Sequence, residues 1–230
     1  KQHPTAKNIP ILLFASRELT PEEKQILDGQ VREIIYRGPS LKETLIHEVR
    51  KFEKLYPDKA KMIDGLTGLY NERYLNNRLS DEVNRAFRYK RTFSLLLSNV
   101  DHFQQINRRY GRETGNYVLH EIALSFRKNS RASNPLCRCG GSTFALLMPE
   151  TTKDAAKLVA EKLRRLIESH DFSIPEREES DLVTVSIGIS TFFEDANTSE
   201  KMIIQAGAAL RQAQQLGGNR IMTLDKVHLS

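Results

Sequence analysis

The stretch LCRCGGSTFALLMP, residues 136–149, consists of two short apolar runs joined through Gly140-Gly141. Glycine reaches positive φ without steric cost, so a Gly-Gly pair between apolar runs predicts a β-hairpin. Along the second run Phe144, Leu146 and Met148 alternate with Ala145 and Leu147, the pattern of a buried strand. Cys137 and Cys139 lie two apart on the first run, on one face and poorly placed to bridge each other. Uncharged Ser142 and Thr143 occupy the tip of the turn.

Working outward, the flanking elements are mixed α and β. Upstream, NERYLNNRLSDEVNRAFRYK (71–90) reads as an amphipathic helix and FSLLLSNV (93–100) as a strand buried on both faces. A long helical region follows, with Val118, Ile122, Ala123 and Phe126 at helical spacing. Downstream, Ala156, Val159, Leu163, Leu166 and Ile167 mark the inner face of another helix. VTVSIGIS (183–190) then alternates cleanly, placing Val183, Val185, Ile187 and Ile189 on one face. A last helix from about Ser199 stops at Gly217-Gly218, and NRIMTL is a final short strand. No internal repeat is present.

The first third of the chain has a different rhythm. PILLFAS (10–16) predicts a buried strand, and LTPEEKQILDG a helix capped by Thr20, with Pro21 in its first turn and Gly29 closing it. VREIIYRG is a second strand. Ser40 and Glu43 form a capping box for a helix carrying Leu41, Leu45, Val49 and Phe52 on one face. That helix is expected to run towards Ile63, bent at Pro57. The turn-rich DGLTGLYN (64–71) sets a boundary near Asp64, giving residues 1–56, a linker helix at 57–63, and a domain at 64–230.

Composition is that of an ordinary globular protein, with 39% hydrophobic and 28% charged residues among 230. No apolar run reaches the length of a membrane span, so no membrane partner is expected. The chain opens on Lys1 rather than Met, which suggests a fragment. The two unbridged cysteines suit a reduced, cytoplasmic setting. The net charge of +6 would suit a phosphate-bearing partner. Yet the basic residues are scattered over Arg85/Arg88/Lys90/Arg91, Arg108/Arg109/Arg112, Arg127/Lys128/Arg131 and Arg164/Arg165, and read as solvated helix faces. No aromatic-interleaved basic stripe accompanies them, so nucleic acid is not expected as a partner.

Four of these motifs, in order and at matching spacing, resemble the GGDEF (diguanylate cyclase) domain: DGLTGLYN its opening motif, NVDHFQQINRRYGRETGN its first strand and guanine-binding segment, CGGSTFALLMP its signature hairpin, and VTVSIGIS its next strand. The resemblance spans residues 64–225 and implies a nucleotide-cyclase-like α/β fold, a mixed central sheet flanked by helices. Residues 8–55 resemble the second half of a response-regulator receiver domain. There Ala15 takes the place of the switch hydroxyl and Arg37 that of the lysine, and the earlier strand bearing the phosphoacceptor Asp is missing.

In such cyclases two Mg²⁺ ions hold GTP, and carboxylates suit that hard cation. The resemblance places those acids at Asn99, Ser142 and Thr143, so that GGDEF has become GGSTF; Asp101 keeps the second acidic position. Gln214 and Gly218 stand where a phosphate-binding Lys and Arg belong, with Arg220 displaced by two residues, and Gln104 replaces a further Lys. No catalytic residue and no metal site are therefore expected, and Mg²⁺ and GTP would be cofactors only where activity is retained. The nucleotide-binding remnant comprises Asn107, Asn116 in place of an Asp, Asp101, Gly140 and Gly141, with Gly111 and Gly115 kept. The product-binding inhibitory site corresponds to Arg131 and Asn134, in RASN, with Lys162 as a second basic position.

The resemblance thus implies a catalytically inactive bacterial signalling protein that works by contact with other signalling proteins. A homodimer through the receiver and the helix at 41–55 is a further expectation. Two alternatives stay open. One is a sensor of cyclic di-GMP or GTP. The other is a weak cyclase in which Asp101 is helped by residues of a dimer mate.

Overall fold

A computed structural model describes residues 12–17, 19–27, 31, 33–36, 61–174 and 182–224. The chain divides into two compact units, Lys1–Lys61 and Met62–Ser230. In the first, β1 (Leu12–Ala15) pairs in parallel with β2 (Glu33–Tyr36), in the register Leu12↔Glu33 to Ala15↔Tyr36. Between them lies α1 (Pro21–Leu27). Thr20 and Glu23 close its N-terminus reciprocally: Glu23 N–H donates to Thr20 Oγ1 at 3.3 Å, and Thr20 N–H donates to Glu23 Oε2 at 2.9 Å. Gly29, Arg37 and the helix expected from Ser40 through Phe52 lie outside the described residues.

The second unit is built on a six-stranded sheet ordered β3-β5-β6-β4-β7-β8. Its strands are β3 (Tyr70–Asn71), β4 (Phe93–Val100), β5 (Leu136–Arg138), β6 (Thr143–Pro149), β7 (Val185–Thr191) and β8 (Ile221–Thr223). Central β4 runs antiparallel to both β6 and β7, whereas β3–β5 and β7–β8 are parallel, so the sheet is mixed. Four helices cover it: α2 (Glu72–Tyr89), α3 (Phe103–Asn129), α4 (Lys153–Glu168) and α5 (Ser199–Gln215).

Side-chain alternation sorts the core into two layers. Leu96, Phe144, Leu146, Met148, Val185, Ile187 and Ile189 pack with α3 and α4. Leu95, Leu97, Ala145 and Leu147 pack with α2 and α5 on the opposite face. The off-face positions of β7 are small for a reason. A Cβ on Gly188 would collide with the carbonyl of Ala206 and the backbone nitrogen of Leu210, so α5 lies directly on the strand.

One expectation is corrected. The linker helix does not extend to residue 63: Lys61 and Met62 form a turn and Ile63 bridges Tyr70, because Asp64 starts a new turn in which Gly68 N–H donates to Asp64 O. Residues 57–60 lie outside the described residues. The long helical region is α3, kinked at Gly111, whose φ of 84° and ψ of 163° break the ladder.

Candidate functional site

The hairpin of residues 136–149 is β5–β6, with Arg138 facing Phe144 across the turn. Gly140 (φ 96°) and Gly141 (φ 52°) supply the left-handed backbone, and Thr143 N–H closes the turn on Gly140 O at 3.0 Å. An ion pair anchors the tip from below. Arg138 donates to both oxygens of Asp64, at 3.1 and 3.0 Å, and to Gly141 O at 2.6 Å. Asp64 in turn accepts from the hydroxyl and N–H of Thr67, at 2.6 and 2.9 Å. Burial pushes the Asp64 carboxyl up, but the Thr67 and Arg138 hydrogen bonds outweigh it and hold the group below its ordinary value. The opening motif and the hairpin are thereby one rigid unit.

The end of β4 lies beside that tip, since Asn99 pairs in register with Thr143. The Asn99 amide donates to Ser142 Oγ and to Thr143 Oγ1, both at 3.0 Å. Its carbonyl accepts from Gln214 Nε2, at 3.1 Å, from the last turn of α5. Both amide protons are used, and all four residues are neutral. The structure therefore gathers Asn99, Ser142, Thr143 and Gln214 into one hydrogen-bonded cluster. Divalent Mg²⁺ prefers anionic oxygens in octahedral array, and these amide and hydroxyl groups, committed to one another, do not fit it. Among the described residues no group of three or more His, Cys, Asp or Glu is disposed to hold a metal.

Asp101, two residues on, is buried, with 6% of its surface exposed. Its Oδ1 accepts from Ser186 Oγ at 2.7 Å, and its Oδ2 from Thr184 Oγ1 at 2.8 Å and from Asn219 N–H at 2.9 Å. The carboxylate is a structural acceptor that ties β4 to β7 and to the α5–β8 turn. A Cβ on Gly218 (φ 74°) would fall 3.0 Å from the Asp101 carboxyl carbon, so the turn passes too close for a side chain. Asn219 extends the tie to α4: its Oδ1 accepts from Arg164 at 2.6 Å, and its amide donates to Glu168 at 2.6 Å. Arg164 also binds Glu161, at 2.8 Å.

Asn107 and Asn116 lie on either side of the Gly111 break. Asn107 is half-buried and packs over Gly115, where a Cβ would collide with its Oδ1; Asn116 is exposed. Gln104 and Arg220 are exposed as well. A cleft of about 390 Å³ opens nearby, lined by Asp101, His102, Gln105, Arg108, Arg109 and Tyr110 among others; neither asparagine lines it.

A second cleft, of about 320 Å³, brings Arg131 and Asn134 together with Arg127, Ser130 and the Gly68–Tyr70 edge. Arg127 is held there by Gly68 O at 2.7 Å, and the buried Ser130 hydroxyl has no hydrogen-bond partner. Lys162, exposed on α4, does not line it. Cys137 and Cys139 are free thiols. Burial raises both, Cys139 to about 12, which keeps them as thiols rather than thiolates.

Sequence reasoning missed Thr184, Ser186, Arg164 and Arg138. The polar off-face of VTVSIGIS was the one available signal for the first two.

A mixed sheet with a glycine-turn hairpin beside its central strand, and a helix broken at Gly111 across that strand's end, defines a nucleotide-cyclase-like α/β domain. Residues 61–220 match the family described as diguanylate cyclase, GGDEF domain. The response regulator PleD of Caulobacter vibrioides is 35% identical over 210 residues, covering 90% of this chain and 44% of PleD. Among solved structures, the coiled coil and GGDEF domain of DgcB from Caulobacter crescentus, in complex with c-di-GMP, superposes with a TM-score of 0.67 at 24% identity, covering 80% of this chain and all of that one. Diguanylate cyclase SiaD from Pseudomonas aeruginosa, in complex with its activator SiaC, gives 0.63 at 28% identity over 80% of this chain and 75% of SiaD. The chain belongs to the GGDEF diguanylate cyclase family, and it spans less than half the length of PleD. Among the described residues no helix is long and apolar enough to cross a membrane.

Proposed function

We propose that this chain serves cyclic di-GMP signalling as a GGDEF domain that no longer turns over GTP and acts by contact with other signalling proteins. The observation that carries this reading is the neutral cluster of Asn99, Ser142, Thr143 and Gln214. It stands at the positions where the family's metal-binding carboxylates and one phosphate-binding lysine belong, and its groups are spent on one another. Phosphoryl transfer relies on metal and cationic clamps for charge stabilisation, so losing them together removes many orders of magnitude in rate. SiaD, solved with an activator protein, supports a family domain engaged through a partner. The parallel β1–β2 pair supports a receiver-like fragment ahead of the domain. Incubation with GTP and Mg²⁺, followed by chromatographic detection of cyclic di-GMP, tests the loss of turnover; product formation dependent on Asn99 would refute it.

A second reading is favoured by the cleft holding Arg131 and Asn134, where the Ser130 hydroxyl lacks a partner. Here the domain is a receptor for cyclic di-GMP, the ligand present with DgcB. Calorimetric titration then shows saturable binding that Arg131→Ala abolishes. No heat of binding, or equal binding by the variant, removes this reading.

A further inference from the structure

Far from the hairpin tip, at the opposite end of β4, the surface carries an aromatic cluster with a basic rim. Phe87 and Tyr89, at the end of α2, are 46% and 59% exposed, and Phe193, just beyond β7, is 43% exposed. They stand among Arg85, Arg88, Lys90 and Arg91, all exposed, so the expectation of no aromatic-interleaved basic stripe does not hold over residues 85–91. Arg85 pairs with Glu82 and Arg91 with Glu150, whereas Arg88 and Lys90 have no ion-pair partner among the described residues.

The cluster is built rather than left over. Phe193 adopts a φ of 70°, a left-handed conformation that is costly for a bulky residue. Such strain persists only where surrounding contacts over-determine it. Here Phe193 N–H donates to Ala196 O at 2.8 Å, and Asp195 accepts from Thr191 N–H at 2.8 Å while pairing with Lys153 at 2.6 Å. The Phe87 ring meets Phe192 and Phe193 edge-to-face, with centroids 5.4 and 5.5 Å away. Phe192 stacks in turn on buried Phe93, at 4.8 Å. Phe87 and Phe193 are thus rooted in the core.

We infer that this patch is the docking surface for an acidic segment of a partner protein carrying apolar anchor residues. Exposed Glu194, beside Phe193, and exposed Glu150 also border the patch, but they pair with Lys153 and Arg91. That leaves Arg88 and Lys90 as its unpaired charges among the described residues. An aromatic centre with arginines at its edge is the make-up of an interface hot spot. The uncompensated Arg88 and Lys90 set the sign of the partner by charge complementarity. Single-stranded nucleic acid fits less well, because it stacks successive bases on separate ring faces along a groove. Here the Phe87 and Phe193 rings are turned against each other at 82°. The inference deepens the proposal that the domain signals by contact, and rests on it.

The test uses the whole chain and a short fluorescein-labelled peptide alternating Glu with Leu and Phe, beside a Glu/Ser peptide and an oligothymidylate. Saturable anisotropy with the first peptide alone is expected, weakened about tenfold by Phe193→Ser and by Arg88→Glu with Lys90→Glu. The charge-reversal pair lies on the surface, so it reports on binding even if Phe193→Ser disturbs the fold. Absence of saturable binding, equal binding by the variants, or tighter binding of the oligothymidylate overturns the inference. Assaying GTP turnover on the same preparations separates the two proposals: turnover with intact peptide binding refutes only the loss of chemistry.

Discussion

Gln214, in the last turn of α5, donates its amide to the carbonyl of Asn99, at the end of β4, across 3.1 Å and 115 residues of sequence. A strand end and a helix end meet in one hydrogen bond, and Asn99 passes the connection on to Ser142 and Thr143. A Lys and three carboxylates would need a metal and phosphates to be satisfied. The neutral set satisfies itself.

Reintroducing the acids should reverse that arrangement. The triple variant Asn99→Asp, Ser142→Asp, Thr143→Glu crowds like charges together, each close pair costing about 1 kcal/mol at the surface. Its melting temperature should fall, and should recover on adding Mg²⁺ or Mn²⁺, which the carboxylates can bind. The natural protein should show no such rise. Calorimetric scans with and without the cation read both.

Gly218→Ala should destabilise the second unit by about 1–3 kcal/mol, because the residue is left-handed and its Cβ would press on the Asp101 carboxylate. An arginine at this position would therefore come only at the expense of the turn. Urea unfolding of Gly218→Ala checks the cost; an unchanged midpoint would show that the turn relaxes freely.

At the hairpin tip the space is open and only backbone strain matters: nothing lies within 4 Å of a Cβ on Gly141, whose φ is 52°. Gly141→Val should lose about 1–3 kcal/mol, whereas Gly141→Asn, a residue tolerant of that region, should lose much less. Equal melting temperatures for the two variants would argue against strain as the cause.

Acid should weaken the ion pairs that Glu161 makes with Arg164 and Arg165 along α4. The hydrogen bond from Arg164 dominates the shift of Glu161, burial opposes it, Arg165 adds to it, and the carboxyl is held at about 2 against an ordinary 4.5. The folded value lies below the unfolded one, so its stabilisation is full above about 4.5 and is lost as pH falls through about 2. Glu161→Gln should therefore be less stable than the parent at neutral pH, and the gap should close as the pH falls across that window. Thermal midpoints of both proteins against pH give the comparison; a constant gap would contradict the linkage.

Much of the fold is legible because local patterns are strong: the apolar run at 93–100, the Gly-Gly turn, the clean alternation at 183–190 and the stops at Gly217-Gly218. The break at Gly111 is hidden inside a continuous helical pattern, where one glycine is ordinarily tolerated. The Ile63–Tyr70 bridge is hidden because the apolar spacing before it reads as a helix running on towards Ile63. For the site, positions can be matched but pairings cannot. Asp101 finds Thr184 and Ser186 more than eighty residues away, and Arg164 reaches Asn219 across a different element. Phe193 stays invisible as a surface residue, since nothing in its neighbours announces a left-handed backbone.

The most direct test of the central claim is a single long incubation of the purified protein with GTP and Mg²⁺, with cyclic di-GMP quantified by chromatography beside an active family member. The account expects no product above the no-enzyme background. Product that accumulates with time, and disappears in Asn99→Ala, would contradict it and make the neutral cluster part of a working site.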